Sequence, residues 1–163
     1  MMANTVTIGG VPEGFDADII LRQMQRDERP LMHIARDDKR LAAFAEAVRF
    51  FAPDMPVIRF PAWDCLPYDR VSPNADISAQ RMATLAGLVH GMPKQFILLT
   101  TLNAAMQRLP ARQVLHGATF WAEVGRPIDE ERLRSFLVRM GFSRASTVLE
   151  PGDYAIRGGI IDI

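Results

Sequence analysis

The sequence lacks most of the residues that would build a metal centre or a disulfide framework. It has one cysteine, Cys65, and its three histidines, His33, His90 and His116, show no ligand spacing. A single thiol excludes an internal disulfide and a cysteine-based metal site. No apolar run approaches the roughly 20 residues that cross a bilayer, and the first residues lack the pattern of a signal peptide. We therefore expect a cytoplasmic protein in a reducing compartment, with no metal.

The sequence also lacks an excess of charge of either sign. Its 163 residues include 19 Lys and Arg against 19 Asp and Glu. A domain that grips nucleic acid usually has a basic excess, so we expect little DNA binding by this chain. Only Lys39 and Lys94 are lysines, and arginine is favoured for paired contacts at interfaces, although a GC-rich genome would give the same bias. A hydrophobic content of 48% suffices for a buried core.

The first half of the chain alternates short apolar runs with amphipathic stretches. The pattern predicts helices over 16–26, 38–51 and 76–90, and strands over 31–35, 57–60 and 96–100. In the third helix, Asp76 is the expected cap, Gly91 the expected stop, and the side chains expected to face inward are Met82, Leu85, Leu88 and Val89. Strands that alternate with helices indicate βαβ units and a mostly parallel sheet. We predict an α/β domain over 1–116.

A long irregular connection, residues 61–75, follows the second predicted strand. Its prolines exclude a helix, yet it contains Trp63, Leu66, Tyr68 and Val71. A long loop of this kind is typical of a packed functional segment. The alternative is that these side chains cover one edge of the sheet.

The pattern changes to that of an α+β domain after Pro110. It predicts a strand over 118–124, a helix over 129–140, a strand over 147–149, a turn at Pro151-Gly152, and strands over 154–157 and 160–163. The helix places Leu133, Phe136, Leu137 and Met140 on one face. We predict a domain boundary near residue 116 and a second domain over 117–163. Its last strand reaches Ile163 without a cap or tail, so we expect this domain to be cut off.

The segment from Gly10 to Ala17 stands where a nucleotide-binding domain would have its phosphate loop. Such a loop needs a second glycine, a lysine and a hydroxyl residue at its end. Phe15, Asp16 and Ala17 occupy these three positions. An aspartate there repels a triphosphate, so we predict that ATP is not bound, whether the loop is degenerate or the segment is a plain turn into a helix. No constellation of side chains indicates catalysis, and the acidic pairs Asp37-Asp38 and Glu130-Glu131 stand at helix starts.

Two arginines of the second domain form the candidate docking site. If Leu149 pairs with Tyr154 around the predicted turn, Arg157 lies opposite Ser146, and Arg144 lies two residues further along. Both guanidinium groups then project from one face, about 7–8 Å apart as a diagonal pair. Ala155 would leave space on that face, and Tyr154 and Ile156 would point inward. The alternative is a solvated face with two unremarkable arginines.

Two stretches of the sequence resemble the bacterial transcription-repair coupling factor family. The first is the run from Phe60 to Asp69, with Ser72-Pro73, Asp76-Ile77 and the run from Arg81 to Leu85 after it. The second is the run from Gly152 to Ile163. The two stretches are more than 60 residues apart and stand in matching order. The resemblance covers essentially the whole chain.

The resemblance implies a fold and a role. In that family the N-terminal module is similar to the excinuclease protein UvrB: a helicase-like α/β domain without nucleotide-binding residues, then a domain that binds the excinuclease protein UvrA. It implies partner contacts at Arg144 and at Arg157, with Gly158 and Gly159 completing the second motif. A third contact arginine of UvrB is replaced by Ala155 here. Full-length members also carry an RNA polymerase-binding domain and an ATP- and magnesium-dependent DNA translocase, which the resemblance does not place in these residues.

Three hypotheses follow from the sequence. The first is a recruitment module of a coupling factor that brings UvrA to lesions where RNA polymerase has stalled; it is not an enzyme and needs no cofactor. The second is a fragment of UvrB or of another nucleotide-dependent helicase-like enzyme. UvrB has a working phosphate loop and a long aromatic hairpin, for which the few residues between Pro73 and Asp76 leave no room. The third is a stand-alone adaptor.

Overall fold

The structure is a computed structural model that describes residues 5–66, 70–150 and 152–163. It divides into two compact units, one up to Arg112 and the other from Gln113 to Ile163. Each unit has its own sheet and its own hydrophobic core. Residues 67–69 of the predicted loop and Pro151 of the predicted turn lie outside the described residues.

Unit 1 alternates helices and strands as the sequence predicts. Its elements are α1 (Phe15–Asp27), β1 (Leu31–Ala35), α2 (Asp38–Phe51), β2 (Val57–Phe60), α3 (Ala75–His90), β3 (Ile97–Thr101) and α4 (Leu102–Ala105), after which α5 (Arg112–Gly117) begins at the last residue of the unit. The α/β fold is confirmed, because the three strands form a parallel sheet in the order β1-β3-β2.

The core of unit 1 lies between the sheet and the helices α1 and α2. The central strand β3 is buried along its whole length. Helix α2 begins where the carboxylate of Asp37 accepts a hydrogen bond from the backbone N–H of Arg40 at 2.8 Å. Its apolar face packs into the core through residues spaced by three or four positions, namely Leu41, Phe44, Ala45 and Val48. The predicted bounds of this helix are therefore confirmed.

Helix α3 differs from its prediction in its cap and in its buried face. Its cap is Asn74, whose side chain accepts from the backbone N–H of Asp76 at 2.8 Å, so Asp76 is not the cap. Met82 and Leu88 are 42% and 40% exposed rather than buried. The helix instead turns Arg81 inward because that side chain, though charged, has aromatic rings and hydrogen-bond acceptors to receive it. The predicted end of α3 at Gly91 is confirmed, because Gly91 is its C-cap residue.

Unit 2 contains the helix α6 (Glu130–Arg139) and three short strands, β4 (Ser143–Arg144), β5 (Asp153–Arg157) and β6 (Ile160–Asp162), in the sheet order β4-β5-β6. Asp129 caps α6, and its carboxylate accepts from the backbone N–H of Arg132 at 2.9 Å. The helix packs on the sheet where its buried residues Leu133 and Leu137 meet the buried Tyr154 of β5. Met140, which was predicted on this face, is 38% exposed.

Two predicted strands of this unit are wrong. Residues 118–124 form no strand because their first residues continue the end of α5: the Thr119 hydroxyl donates to the carbonyl of Leu115 at 2.9 Å. Residues 147–149 form no strand because the Asp153 carboxylate accepts from the backbone N–H groups of Leu149 and Glu150 and bends the chain there. Apolar, β-branched sequence alone does not reveal these local hydrogen bonds.

Candidate functional site

The candidate site of unit 2 is a tight hairpin formed by β5 and β6. The strands are antiparallel, with Arg157 opposite Ile160 and Ala155 opposite Asp162. Gly158 and Gly159 are the two residues of the turn, and Gly158 has a φ of 59°. Two-residue hairpin turns require a positive φ at their first central residue, which glycine adopts without strain. The Arg-Gly-Gly motif therefore places an arginine at the last position before a hairpin turn.

Arg157 is exposed and has a defined partner within the hairpin. Its Nη2 lies 2.9 Å from Oδ2 of Asp162 on the neighbouring strand, and 61% of its side-chain surface is exposed. Residues two apart on a strand share a face, so Ala155 and Arg157 lie on one face of the sheet. Their cross-strand neighbours Asp162 and Ile160 lie on that same face. Asp162 was not among the predicted site residues. A hairpin read from the two glycines would have found it, because that pairing brings the two strands into diagonal contact.

Arg144 does not share a face with Arg157, which corrects the predicted geometry. Strand β4 runs parallel to β5, with Arg144 opposite Tyr154, and the predicted antiparallel pairing of Leu149 with Tyr154 does not form. Arg144 therefore belongs to the Tyr154 face by register, whereas Arg157, three residues further on, belongs to the other. Both arginines are exposed. The two guanidinium groups are not the adjacent pair that the sequence predicted.

The side chains that were predicted to point inward from β5 do so, whereas one prediction for its outer face is wrong. Tyr154 is buried, and Ile156 packs on the core of unit 2. Ala155 was predicted to leave open space beside the arginines, but it is only 1% exposed. Since a buried alanine leaves no room at its own position, the space beside Arg157 on this face is not open at Ala155.

The segment from Gly10 to Ala17 leads into the start of α1. Gly14, with a φ of 86°, precedes the helix, and Ala17 is buried in the core of unit 1. Glu13 and Asp16 line a cavity of about 460 Å³ next to the end of β1, together with His33 and Arg40. Arg40 is engaged by Glu13 at 2.9 Å. Arg36 also lines the cavity and pairs with Asp37 at 3.0 Å, so both arginines there already have carboxylate partners. The segment itself supplies two carboxylates, those of Glu13 and Asp16, where a phosphate loop supplies a lysine and a hydroxyl.

His33 is half-buried beside this cavity and stacks on Phe44, with ring centroids 3.7 Å apart and an interplanar angle of 6°. Burial lowers the pKa of His33, and the nearby charge of Asp16 acts in the opposite direction. The imidazole is thus a packing element of an edge strand. In the ranges that the structure covers, no cluster of three or more His, Cys, Asp or Glu residues has the geometry to hold a metal ion.

The start of the irregular loop is held by a buried arginine that the sequence pattern did not single out. Arg81 is 1% exposed, and its guanidinium carbon lies 4.2 Å from the ring centroid of Phe60 and 4.3 Å from that of Trp63. Its Nη1 donates to the carbonyl of Pro61 and to Gln107 Oε1. Gln107 Oε1 also accepts from the backbone N–H of Trp63 at 3.0 Å. Trp63 is therefore part of a packed network, while Leu66 and Val71 further along the loop are exposed.

The described ranges contain no helix that combines the length and the apolar character needed to cross a membrane. Cys65 is a free, half-buried thiol.

Comparison with known proteins matches a family model to the second unit and finds relatives that cover most of the chain. The family model described as the UvrB interaction domain matches residues 121–163. The transcription-repair-coupling factor of Escherichia coli is 29% identical over 147 residues, which is 90% of this chain and 12% of that protein. The protein of the same name from Haemophilus influenzae is 30% identical over 156 residues, which is 96% of this chain and 13% of that protein.

A further relative, the transcription-repair-coupling factor of Myxococcus xanthus, is 31% identical over 142 residues, or 82% of this chain and 12% of its own length. The chain therefore spans only 12–13% of the length of these curated relatives. The matches cover both units, which confirms the resemblance read from the two sequence stretches. The chain belongs to the family of the bacterial transcription-repair-coupling factors.

Proposed function

We propose that the chain is a recruitment module that binds the excinuclease protein UvrA and so brings nucleotide excision repair to lesions that stall RNA polymerase. The match of residues 121–163 to the UvrB interaction domain supports a binding role for unit 2. The similarity to transcription-repair-coupling factors supports the proposed link between stalled transcription and repair. In this proposal the module acts in the cytoplasm as part of a longer protein, and the contacts with RNA polymerase and DNA belong to other parts of that protein.

The observation that carries the proposal is the placement of Arg157. Its guanidinium is exposed on the β5–β6 hairpin, immediately before a turn of two glycines. Arginine is enriched among the residues that dominate binding energy at protein interfaces, and its planar fork suits carboxylates of a partner. A turn without side chains lets a partner backbone approach closely. Arg157, Gly158 and Gly159 together therefore form the proposed contact.

Arg144 is retained as a second proposed contact with a separate geometry. It is exposed on β4, a strand of two residues at the edge of the sheet. Because its register places it on the face opposite Arg157, a partner has to reach around the sheet edge to touch both. We therefore expect Arg144 to contribute less than Arg157.

We further propose that this chain has no enzymatic activity and binds no nucleotide, and that the ATP-driven translocation of the family resides elsewhere in the full-length protein. The two carboxylates beside the start of α1 support this. The alternative, a fragment of UvrB, is less favoured because the relatives that match both units are coupling factors.

Binding to purified UvrA, followed by isothermal titration calorimetry, tests the proposal. Loss of an interface hot-spot side chain costs at least about 2 kcal/mol, so Arg157→Ala is expected to weaken binding about thirtyfold, and Arg144→Ala by about fivefold. Arg126→Ala is the matched control: Arg126 lies in the same unit, is 76% exposed, and forms its own ion pair with Glu123 at 2.9 Å. Binding that survives the double substitution at 144 and 157, or that falls equally in the control, refutes the assignment.

A further inference from the structure

Unit 2 contains a second cationic feature, which lies on one side of α6. A cavity of about 310 Å³ is lined by polar, cationic and aromatic residues and by no carboxylate: His116, Gly117, Thr119, Phe120, Arg132, Ser135, Phe136 and Arg139. The two arginines are seven residues apart on α6, so they lie two turns apart on the same side of the helix, about 10 Å along its axis. The cavity lies between them.

Both guanidinium groups are positioned by aromatic rings. The Arg132 guanidinium carbon lies 5.7 Å from the ring centroid of Phe120, and that of Arg139 lies 5.7 Å from the ring centroid of Phe136. The two rings contact each other, with centroids 5.5 Å apart. Arg139 Nη2 also donates to the carbonyl of Gly117 at 3.4 Å. The two charged groups are thus placed at either end of a packed aromatic pair.

Neither arginine has a carboxylate partner within the residues that the structure describes. Two of the acidic residues at the start of α6, Asp129 and Glu130, are engaged elsewhere. The Asp129 carboxylate caps the helix by accepting a backbone N–H, and Glu130 pairs with Arg134. Arg126 and Arg157 have their own partners in Glu123 and Asp162. Arg132 and Arg139 therefore differ from these other arginines of unit 2, since their charge is left for an external anion.

We propose that this cavity is a docking site for an acidic segment of a protein partner, with carboxylates of that segment held by Arg132 and Arg139. Charge complementarity favours carboxylates because acidic side chains are absent from the lining. A nucleic acid is disfavoured because residues 113–163 contain six arginines and no lysine against seven acidic residues, and affinity for a phosphate backbone depends on many cationic contacts. Aromatic rings beside arginines are the composition of interface hot spots. The site is independent of Arg157 and adds a second contact surface to the unit.

The test is a titration of the ¹⁵N-labelled 163-residue chain with a hexaglutamate peptide, followed by NMR. We expect saturable shifts of the backbone amides of Gly117, Thr119 and Ser135. The double variant Arg132→Gln/Arg139→Gln should weaken the binding about tenfold or more, since hydrogen bonds to charged groups carry that much energy. The control Arg126→Gln/Arg134→Gln removes the same charge from the same unit, but from arginines already in ion pairs, and should leave the affinity unchanged.

Parallel titrations with a DNA duplex of about 12 base pairs and with inorganic phosphate distinguish other anions. Tighter binding of the duplex than of the peptide at these amides would overturn the proposal in favour of nucleic acid. Phosphate that binds as well as the peptide would overturn it in favour of a pocket for a single small anion. Equal weakening by the two double variants, or shifts confined to other residues, would show that the cavity is not the site.

Discussion

Removal of the Arg81 guanidinium is expected to destabilise unit 1 more than any substitution of an exposed arginine. The side chain is buried between Phe60 and Trp63 and donates to the carbonyl of Pro61 and to Gln107. A desolvated cation over an aromatic ring contributes up to about 2 kcal/mol. A buried acceptor left without a donor costs about 1–3 kcal/mol, and Arg81→Ala also leaves a cavity.

One term opposes these losses. Burial disfavours the charged form, which lowers the pKa of Arg81, and Nε has no hydrogen-bond partner, so the alanine variant is relieved of a desolvated charge. We expect a net loss of about 3 kcal/mol in the free energy of unfolding for Arg81→Ala. Arg81→Met keeps most of the apolar stem and should lose less. Arg81→Lys should not restore stability, because an ammonium lacks the planar fork that stacks between rings.

Urea unfolding followed by the fluorescence of Trp63 measures this effect. The measurement is made in a Trp121→Phe background, so that the signal comes from unit 1 alone. Arg49→Ala is the control, because Arg49 is exposed and its ion pair with Glu46 contributes about 0–1 kcal/mol. If Arg81→Ala costs no more than this control, the stacked guanidinium does not stabilise the loop and the reasoning is refuted.

Three further predictions concern the hairpin, the edge strand and the loop before α1. Gly158→Ala should destabilise unit 2 by about 1 kcal/mol because its φ is positive, whereas Gly159→Ala should not destabilise it, since its φ is not positive and no atom lies within 4 Å of its added Cβ; thermal unfolding compares the two. Because burial lowers the pKa of His33, the unfolded state binds the proton more readily, so stability should fall as pH drops below about 6.5. The His33→Asn variant should lose that part of the pH dependence in urea titrations at about pH 7.5 and about pH 5.5, on either side of that value. Calorimetric titration with Mg-ATP should give no heat of binding, and a micromolar dissociation constant would contradict the role assigned to Asp16.

The sequence was sufficient for the fold of unit 1 because its signals are local and strong. Strand β1 and helix α2 have the predicted bounds, since each combines a clear apolar period with a cap or a closing proline. The apolar period predicted the wrong buried face for α3, where Met82 and Leu88 are exposed and Arg81 is buried. A charged residue becomes a core residue only when rings and acceptors from distant segments surround it. No pattern within one helix reveals that.

Unit 2 was predicted less well because its strands are short. The strand that contains Arg157 was found, yet it was predicted to pair in antiparallel fashion with the segment that ends at Leu149, whereas it pairs in parallel with β4. In strands of two to five residues few backbone hydrogen bonds define the pairing, and here the carboxylate of Asp153 also accepts from the backbone N–H groups of Leu149 and Glu150 and bends the chain before β5. Arg132 and Arg139 were passed over because charged residues on a helix usually mean a solvated face. Their distinction is the combination of aromatic rings beside both guanidinium groups with the lack of an internal carboxylate partner among the described residues, which only the three-dimensional structure reveals.

The pairing of Arg157 with Asp162 has a consequence for how a partner is selected. In the contact proposed above, a carboxylate that binds Arg157 from outside has to replace Asp162 or share the guanidinium with it, so the proposed recognition is an exchange of counter-ions. The exposed internal pair is weak, which keeps the barrier to exchange low. An apolar surface that covers the hairpin gains nothing in return for separating the two charges. If Arg157 is the contact that we propose, Asp162 thereby favours partners that bring a well-placed acid of their own over those that do not.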